Sequence, residues 1–512
     1  MNRNIKETTI SPETHNLINK AIASMTKKKN QHKNTSSSNT SSSNTNYRNA
    51  SSRISRISKT TTKHKTHIRS KNVNYISELI NLYYNNDTVS NNYLASANKI
   101  THIFPPQNRI IVIGDIHGDF EVAIKCLILA KCIEYIEPPV HKSVDVMDAF
   151  FHTLKWIGGD TYIVQLGDQI DRVRPQRWDR NDISRDAAYE DEGSTLEIFY
   201  LFHHLDKLAR AQQGRVLSII GNHEIMNVEG DFRYVSTEEF RCFKEHLKHV
   251  YNHKSKFPYH SRTLKKSSYI LKNNKNNENN SKSTLPIGYR ERLYAFSPTG
   301  LCANLIAKNY YTMLQIGNWL FCHGSPTLHI SKNYSIDLVN NVVALYLLGI
   351  DSVDDDLEKH FDEIMKPHVE NESSILWDRT FGETIDGHSR EQYLEKHLQK
   401  ILNEYNKKNY NLSDNMKATH IAIGHTPQFK HGINSICNQR VWRCDVGMSK
   451  AFQSKKIKSN KHNGNTGNTG NTDNTGNTGN TGNTDNDDDD NAFERGDVQV
   501  LEIVNGNPTT LS

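Results

Sequence analysis

Asp115 and His117, two apart in Gly114-Asp115-Ile116-His117-Gly118, offer one carboxylate and one imidazole to a single divalent cation, between glycines that allow a sharp turn. Asp168, in Gly167-Asp168-Gln169-Ile170-Asp171-Arg172, can use both carboxylate oxygens to bridge two cations, because a bridging ligand must be anionic and bidentate. Asn222 of Gly221-Asn222-His223-Glu224, His323 of His323-Gly324 and His425 of Gly424-His425 would complete the second ion. Two cations about 3.5 to 4 Å apart share a water and lower its pKa, which is the chemistry of metal-assisted hydrolysis. Taken singly, each motif is also an ordinary turn or a core histidine. The ordered set of five carries the metal reading.

Something must hold these groups together, and the residues before each motif indicate what. Each motif follows a short apolar run, so each ligand sits just past the C-terminal end of a buried strand, where open α/β sheets bind ligands. The pattern predicts strands over 109–113, 162–166, 216–220, 319–322 and 418–423, and helices over 120–132 and 195–211. Strands alternating with helices argue for an α/β sandwich. Further helices are predicted over 336–348, 353–365 and 392–405, between the fourth and fifth motifs, either as a cap beside the site or as cover for one sheet face.

The chain has 512 residues but only 35% hydrophobic ones, and a mean hydropathy of -0.71, so part of it is expected to stay unpacked. A serine-, asparagine- and lysine-rich stretch assigns 1–72 to a basic disordered arm, whose composition cannot repay the entropy of ordering. The catalytic domain is placed at 73–453, with an inserted Asn/Lys-rich loop at 271–284. An Asn-Thr-Gly repeat ending in Asp487–Asp490 makes 454–491 a low-complexity linker, and 492–512 is expected to return a strand to the domain.

A net charge of +6 is too small at this size to argue for nucleic acid, beyond a weak contact by the basic arm. Seven cysteines without a CxxC pair suggest neither a disulfide framework nor a structural zinc motif. The N-terminus carries charge without an apolar signal stretch, and no run approaches the roughly 18 apolar residues of a membrane span. An intracellular, cytoplasmic protein is the expectation.

The order and spacing of the five motifs closely resemble the calcineurin-like metallophosphatase superfamily, in its phosphoprotein phosphatase branch, whose second and third motifs take the forms GDQIDR and GNHE seen here. Residues 221–233 (GNHEIMNVEGDFR), followed by Tyr234-Val235, and 443–449 (RCDVGMS) look like the Shewanella-like protein phosphatases. The resemblance covers 108–452 and the late strand. It implies an α/β, metallophosphatase-type β-sandwich flanked by helices, with a helical insertion between the fourth and fifth motifs.

It also implies two divalent ions (manganese, iron or zinc), one on Asp115, His117 and Asp168, the other on Asp168, Asn222, His323 and His425. Arg172 would bind phosphate, His223 would protonate the leaving group, and Asp171 would orient His223. A second phosphate arginine is expected at Arg379, in Leu376-Trp377-Asp378-Arg379, unless Arg379 merely pairs with Asp378. The implied activity is hydrolysis of phospho-Ser/Thr or phospho-Tyr by in-line attack of a metal-bridging hydroxide. Where the branch has glycine, this chain has Val173 and Ser325, and neither change removes a ligand.

Three rivals are open. The same dinuclear core would serve a dinucleoside polyphosphate hydrolase or another small-molecule phosphoesterase. Cys437 and Arg443 have the Cys-x5-Arg spacing of cysteine-dependent phosphatases, although the residues between them are bulky. A catalytically dead scaffold with recruiting arms is the non-enzyme alternative. A zinc-protease reading of His223-Glu224 fails, since Asn227 stands where the second histidine would be.

Overall fold

A computed structural model describes residues 74–83, 101–140, 142–174, 188–248, 250, 285–349, 355–365, 374–383, 388–409, 412–453 and 496–512. The expected arm at 1–72, the insertion at 271–284 and the linker at 454–491 lie outside the described residues. Among those residues twelve strands occur: β1 (Ile103–Phe104), β2 (Arg109–Ile113), β3 (Tyr162–Gln165), β4 (Arg215–Ile219), β5 (Tyr310–Tyr311), β6 (Met313–Ile316), β7 (Trp319–Cys322), β8 (His420–Ile423), β9 (Asn434–Ile436), β10 (Val441–Arg443), β11 (Val500–Val504) and β12 (Asn507–Leu511). They form two six-stranded mixed sheets flanked by helices, an α/β architecture.

One sheet has the order β12-β11-β2-β3-β4-β5, with β2 to β5 parallel and β11 antiparallel to both its neighbours. The other runs β1-β6-β7-β8-β10-β9, with β7, β8 and β10 parallel. Runs such as RIIVI in β2 and WLFC in β7 are buried almost throughout, as expected of central strands covered on both faces. The late strand β11 pairs Leu501 with Val112 and Ile503 with Ile110, and Arg109 Nε lies 2.7 Å from Glu502 Oε1 across that pair.

The expected strands before the five motifs are all present, with small differences at their ends. β8 starts at His420 rather than at 418, because the Asn406 side chain takes both backbone groups of Ala418, at 2.8 and 3.0 Å. The helix after Asp119 ends at Leu129, since Lys131 adopts φ 53° and cannot continue it. Asp119 caps its start, accepting from Val122 N at 3.2 Å.

Between the fourth and fifth motifs lie helices Leu328–Asn333, Ile336–Leu347, Asp355–Met365 and His388–Lys408. The first is too short to show a sequence period. Two of these helices, Ile336–Leu347 and His388–Lys408, cover a sheet face: Asn340 donates to Met313 O at 2.9 Å and accepts from Thr312 N at 2.7 Å, and Tyr405 Oη donates to Gln315 Oε1 at 2.7 Å. No helix among the described residues is long and apolar enough to cross a membrane.

Candidate active site

Six loops converge where the two sheets meet, and every one leaves the C-terminal end of a strand. Asp115 follows β2, Asp168 follows β3 and Asn222 follows β4; from the other sheet His323 follows β7, His425 follows β8 and Asp445 follows β10. All six residues are buried. The glycines of the motifs serve close approach as well as turning. A Cβ at Gly221 would run into Asp168 Oδ1, and one at Gly424 into Asp115 Oδ1. Gly118 does turn through φ 71°, whereas Gly114 has no left-handed φ and instead lies against the Cys444 backbone.

Asp168 is the centre of the arrangement. Its Oδ2 lies 3.3 Å from His323 Nε2, 3.7 Å from His223 Nε2 and 3.9 Å from His117 Nε2, while Oδ1 accepts from His223 N at 3.0 Å. Asp115 Oδ2 is 4.0 Å from His117 Nε2, and Asp115 accepts from His425 N at 3.1 Å. Asn222 Oδ1 sits 2.9 Å from His323 Nε2. Two groups of side chains could each hold a cation, His117 with Asp168 and His223, and Asp168 with His323 and His425; Asp168 belongs to both.

Backbone strain is concentrated here. His117, Asp168, Asp171 and His425 all have φ between 42° and 74°, a region that costs non-glycine residues free energy and is held only when the surroundings demand it. The groups packed behind these loops supply that demand. Glu224 accepts from Gly221 N at 2.7 Å, Asp168 N at 3.1 Å and Gln169 N at 2.9 Å. Ile170 O is 3.3 Å from His117 Nδ1, and Leu166 O is 2.8 Å from His323 Nδ1, which leaves each Nε2 aimed at the centre.

The electrostatics ask for positive charge. Burial, reinforced by Asp445 and Asp168, pushes the Asp115 carboxyl well above the carboxylate range. Burial and the neighbouring Asp168 raise Glu224 to about 7, and burial followed by Asp168 raises Asp445 to about 6. Asp168 goes the other way: burial opposes ionisation, but His323, His223 and His117 together hold it well below its usual value. Burial pushes His117 and His425 well below theirs, so both are neutral and ligand-competent. His425 Nε2 and Asp445 Oδ2 are buried without a hydrogen-bond partner among the described residues. Buried carboxylates, neutral imidazoles and an orphaned ring nitrogen are what divalent cations satisfy, so the residues fit such ions.

The other expected residues surround this centre. His223 Nδ1 lies 2.8 Å from Asp171 Oδ2, and Asp171 also accepts from Asn227 Nδ2 at 2.9 Å. Arg379 Nη1 donates to His425 O at 2.9 Å and to Thr426 Oγ1 at 3.2 Å; Asp378 accepts from Thr380 N at 2.8 Å. Ser325 fastens that segment, its Oγ accepting from Phe381 N at 3.1 Å. Val173 needs no left-handed φ, and its N–H donates to Tyr234 O at 2.9 Å.

Arg172 is fully buried, with Nη1 3.0 Å from Asp119 Oδ2 and Nη2 donating to Tyr189 O at 3.2 Å. The Asp119 contact is close enough for an ion pair but not aligned as a hydrogen bond, so Nε and Nη1 still lack acceptors among the described residues.

Three residues carry no signal in the motifs. Arg174 lies 4.5 Å over the Phe452 ring and 5.7 Å over Tyr234, rings that pack against His117 and His223, and its charge helps to depress His117. Arg292, 68 residues past the third motif, donates to Asn227 Oδ1 at 2.8 Å and Asp171 Oδ1 at 3.2 Å. Asp445 is visible in sequence only as part of RCDVGMS. By contrast, Cys437 and Arg443 do not form an anion cradle: Cys437 is buried in the β9–β10 turn, burial pushes its thiol up to about 11, and Arg443 Nε donates to Asn434 Oδ1 at 2.7 Å.

No family model matches the chain. Shewanella-like protein phosphatase 2 of Arabidopsis thaliana is 27% identical over 359 residues, spanning 68% of this chain and 73% of that protein. Shewanella-like protein phosphatase 1 of Plasmodium berghei (strain Anka) is 26% identical over 346 residues, 67% of each. Among solved structures, the cold-active protein-tyrosine phosphatase of a psychrophilic Shewanella species aligns at 17% identity and a TM-score of 0.41, over 81% of this chain and 83% of that one.

Proposed function

We propose that this chain is a metal-dependent phosphomonoesterase, a protein phosphatase acting on phospho-Ser/Thr or phospho-Tyr. The observation that supports it most is that Asp168 belongs to two side-chain groups that could each hold a cation, at the meeting point of six strand ends. The names of the two relatives above point to the same chemistry. Asp115, His117 and Asp168 would hold one cation, and Asp168, Asn222, His323 and His425 the other. Bound there, manganese, iron or zinc would supply a water of lowered pKa and neutralise phosphoryl charge.

The chain's own groups supply the remaining steps. Arg379, anchored on His425 O and Thr426 Oγ1, and Arg172, whose Nε and Nη1 have no hydrogen-bond acceptor among the described residues, would hold phosphate oxygens through N–H donors. Arg174, at the aromatic rim, would draw the dianion inward. His223, its Nδ1 fixed by Asp171, presents Nε2 to the same space and would protonate the departing oxygen.

The test is phosphate release from phospho-Ser, phospho-Thr and phospho-Tyr peptides and from dinucleoside polyphosphates, each with and without chelator. The proposal expects chelator-sensitive turnover of at least one peptide class. Turnover of dinucleoside polyphosphates alone would replace it with the small-molecule reading. Turnover stopped by thiol alkylation and indifferent to chelator would favour a cysteine enzyme, and no turnover at all a scaffold.

A further inference from the structure

Away from the active site, Glu197, Cys242 and His246 bring a carboxylate, a thiol and an imidazole within 4.8 Å of one another. Cys242 and His246 are one turn apart on helix Thr237–Leu247 and so share a face, and Glu197 comes from the first turn of helix Thr195–Arg210. Tyr75 Oη, from helix Tyr75–Tyr83, donates to Glu197 Oε1 at 2.8 Å and fixes that carboxylate. Glu197 is 2% exposed, and its Oε2 has no hydrogen-bond partner among the described residues. His246 Nε2 stands 3.9 Å from Glu197 Oε1, too far for a hydrogen bond.

A buried carboxylate oxygen without a partner costs free energy, and the hydrogen bonds around it do not remove that cost. A cation would. We infer that Glu197, Cys242 and His246 form a separate mononuclear site for a thiophilic divalent ion of the zinc type. The set of one sulfur, one nitrogen and one oxygen ligand suits zinc, and side-chain adjustments of about 1 Å would bring the three atoms to tetrahedral separations. Burial and the Glu197 carboxylate push the Cys242 thiol well up, so ion binding releases its proton to solvent as the metal–sulfur bond forms.

The site joins two helices, and its position gives it a consequence. Glu239, three residues before Cys242 on the same helix, accepts from Asp171 N and Arg172 N, both at 3.0 Å. A bound ion therefore clamps the helix that holds the loop carrying Asp171 and Arg172.

Cobalt(II) titration of the full-length chain tests this, because a thiolate–cobalt charge-transfer band requires cysteine ligation and neither group at the active site contains a cysteine. The band is expected in the wild type, absent in Cys242→Ser and retained in His323→Ala. No band in the folded wild type, or one that persists in Cys242→Ser, would overturn the site. If Cys242→Ser does not fold, alkylation of the wild type decides, read by mass spectrometry with the other six cysteines as references. Zinc is expected to slow modification of Cys242 at least tenfold relative to them, and equal slowing of all seven, or none, would overturn the proposal.

Discussion

Arg172 Nη1 lies 3.0 Å from Asp119 Oδ2, and both side chains are fully buried. The same carboxylate oxygen accepts from Lys450 N at 2.8 Å, so one aspartate ties Arg172 to the end of the RCDVGMS segment. Removing one partner of a buried pair leaves the other charge uncompensated. Asp119→Asn can keep the helix-cap acceptor at Oδ1, but it removes the charge and puts an amide N–H in place of the Oδ2 that faces Arg172 and Lys450 N. It is expected to destabilise the protein by about 3 kcal/mol in denaturant unfolding. An unchanged midpoint would show that Arg172 does not depend on Asp119.

Arg292 acts on the site at one remove, through Asp171 and Asn227. Its loss should disorder the Asp171–His223 pair without removing a phosphate contact. Arg292→Gln is expected to lower kcat on an aryl phosphate about 10- to 100-fold while KM changes little. A rise in KM with kcat preserved would instead assign Arg292 to substrate binding.

Much of this site is legible in the sequence, and the reasons are physical. A polar side chain that must follow a buried strand leaves a local trace, an apolar run closed by glycine and a polar residue, so Asp115, Asp168, Asn222, His323 and His425 can all be found with their strands. Arg292 leaves none, because it reaches Asp171 across 121 residues from a helix whose sequence looks ordinary. The direction of a long side chain is equally hidden: nothing in Asp171-Arg172-Val173-Arg174 tells that the first arginine meets Asp119 and the second lies over Phe452. Short strands such as β1 and β5, at two residues each, carry too little pattern to be read at all.

Asp191 should give stability a pH dependence unrelated to catalysis. Burial, then the nearby Glu239, raise its pKa from 3.8 to about 6, while it accepts from Ser236 Oγ at 2.9 Å and Gly193 N at 3.2 Å. The folded state thus binds this proton more tightly than the unfolded one, so the contribution is fully present below about 3.8 and is lost as pH rises through about 6. Asp191→Asn removes the titration. Compared with the wild type, the variant should gain on the order of 2 kcal/mol between about pH 4 and about pH 7, allowing for partial exposure of the carboxyl. Parallel pH profiles for the two proteins would contradict this.

Everything proposed for the active site depends on Asp168, the one side chain common to both groups that could hold a cation. The decisive measurement is single-turnover phosphate release by Asp168→Asn under saturating manganese, on protein whose circular dichroism and unfolding midpoint match a folded chain. Asparagine keeps the size and one acceptor oxygen but cannot bridge as an anion. The account predicts a loss of at least about 1000-fold, about 4 kcal/mol of transition-state stabilisation. Turnover near the wild-type rate would contradict it.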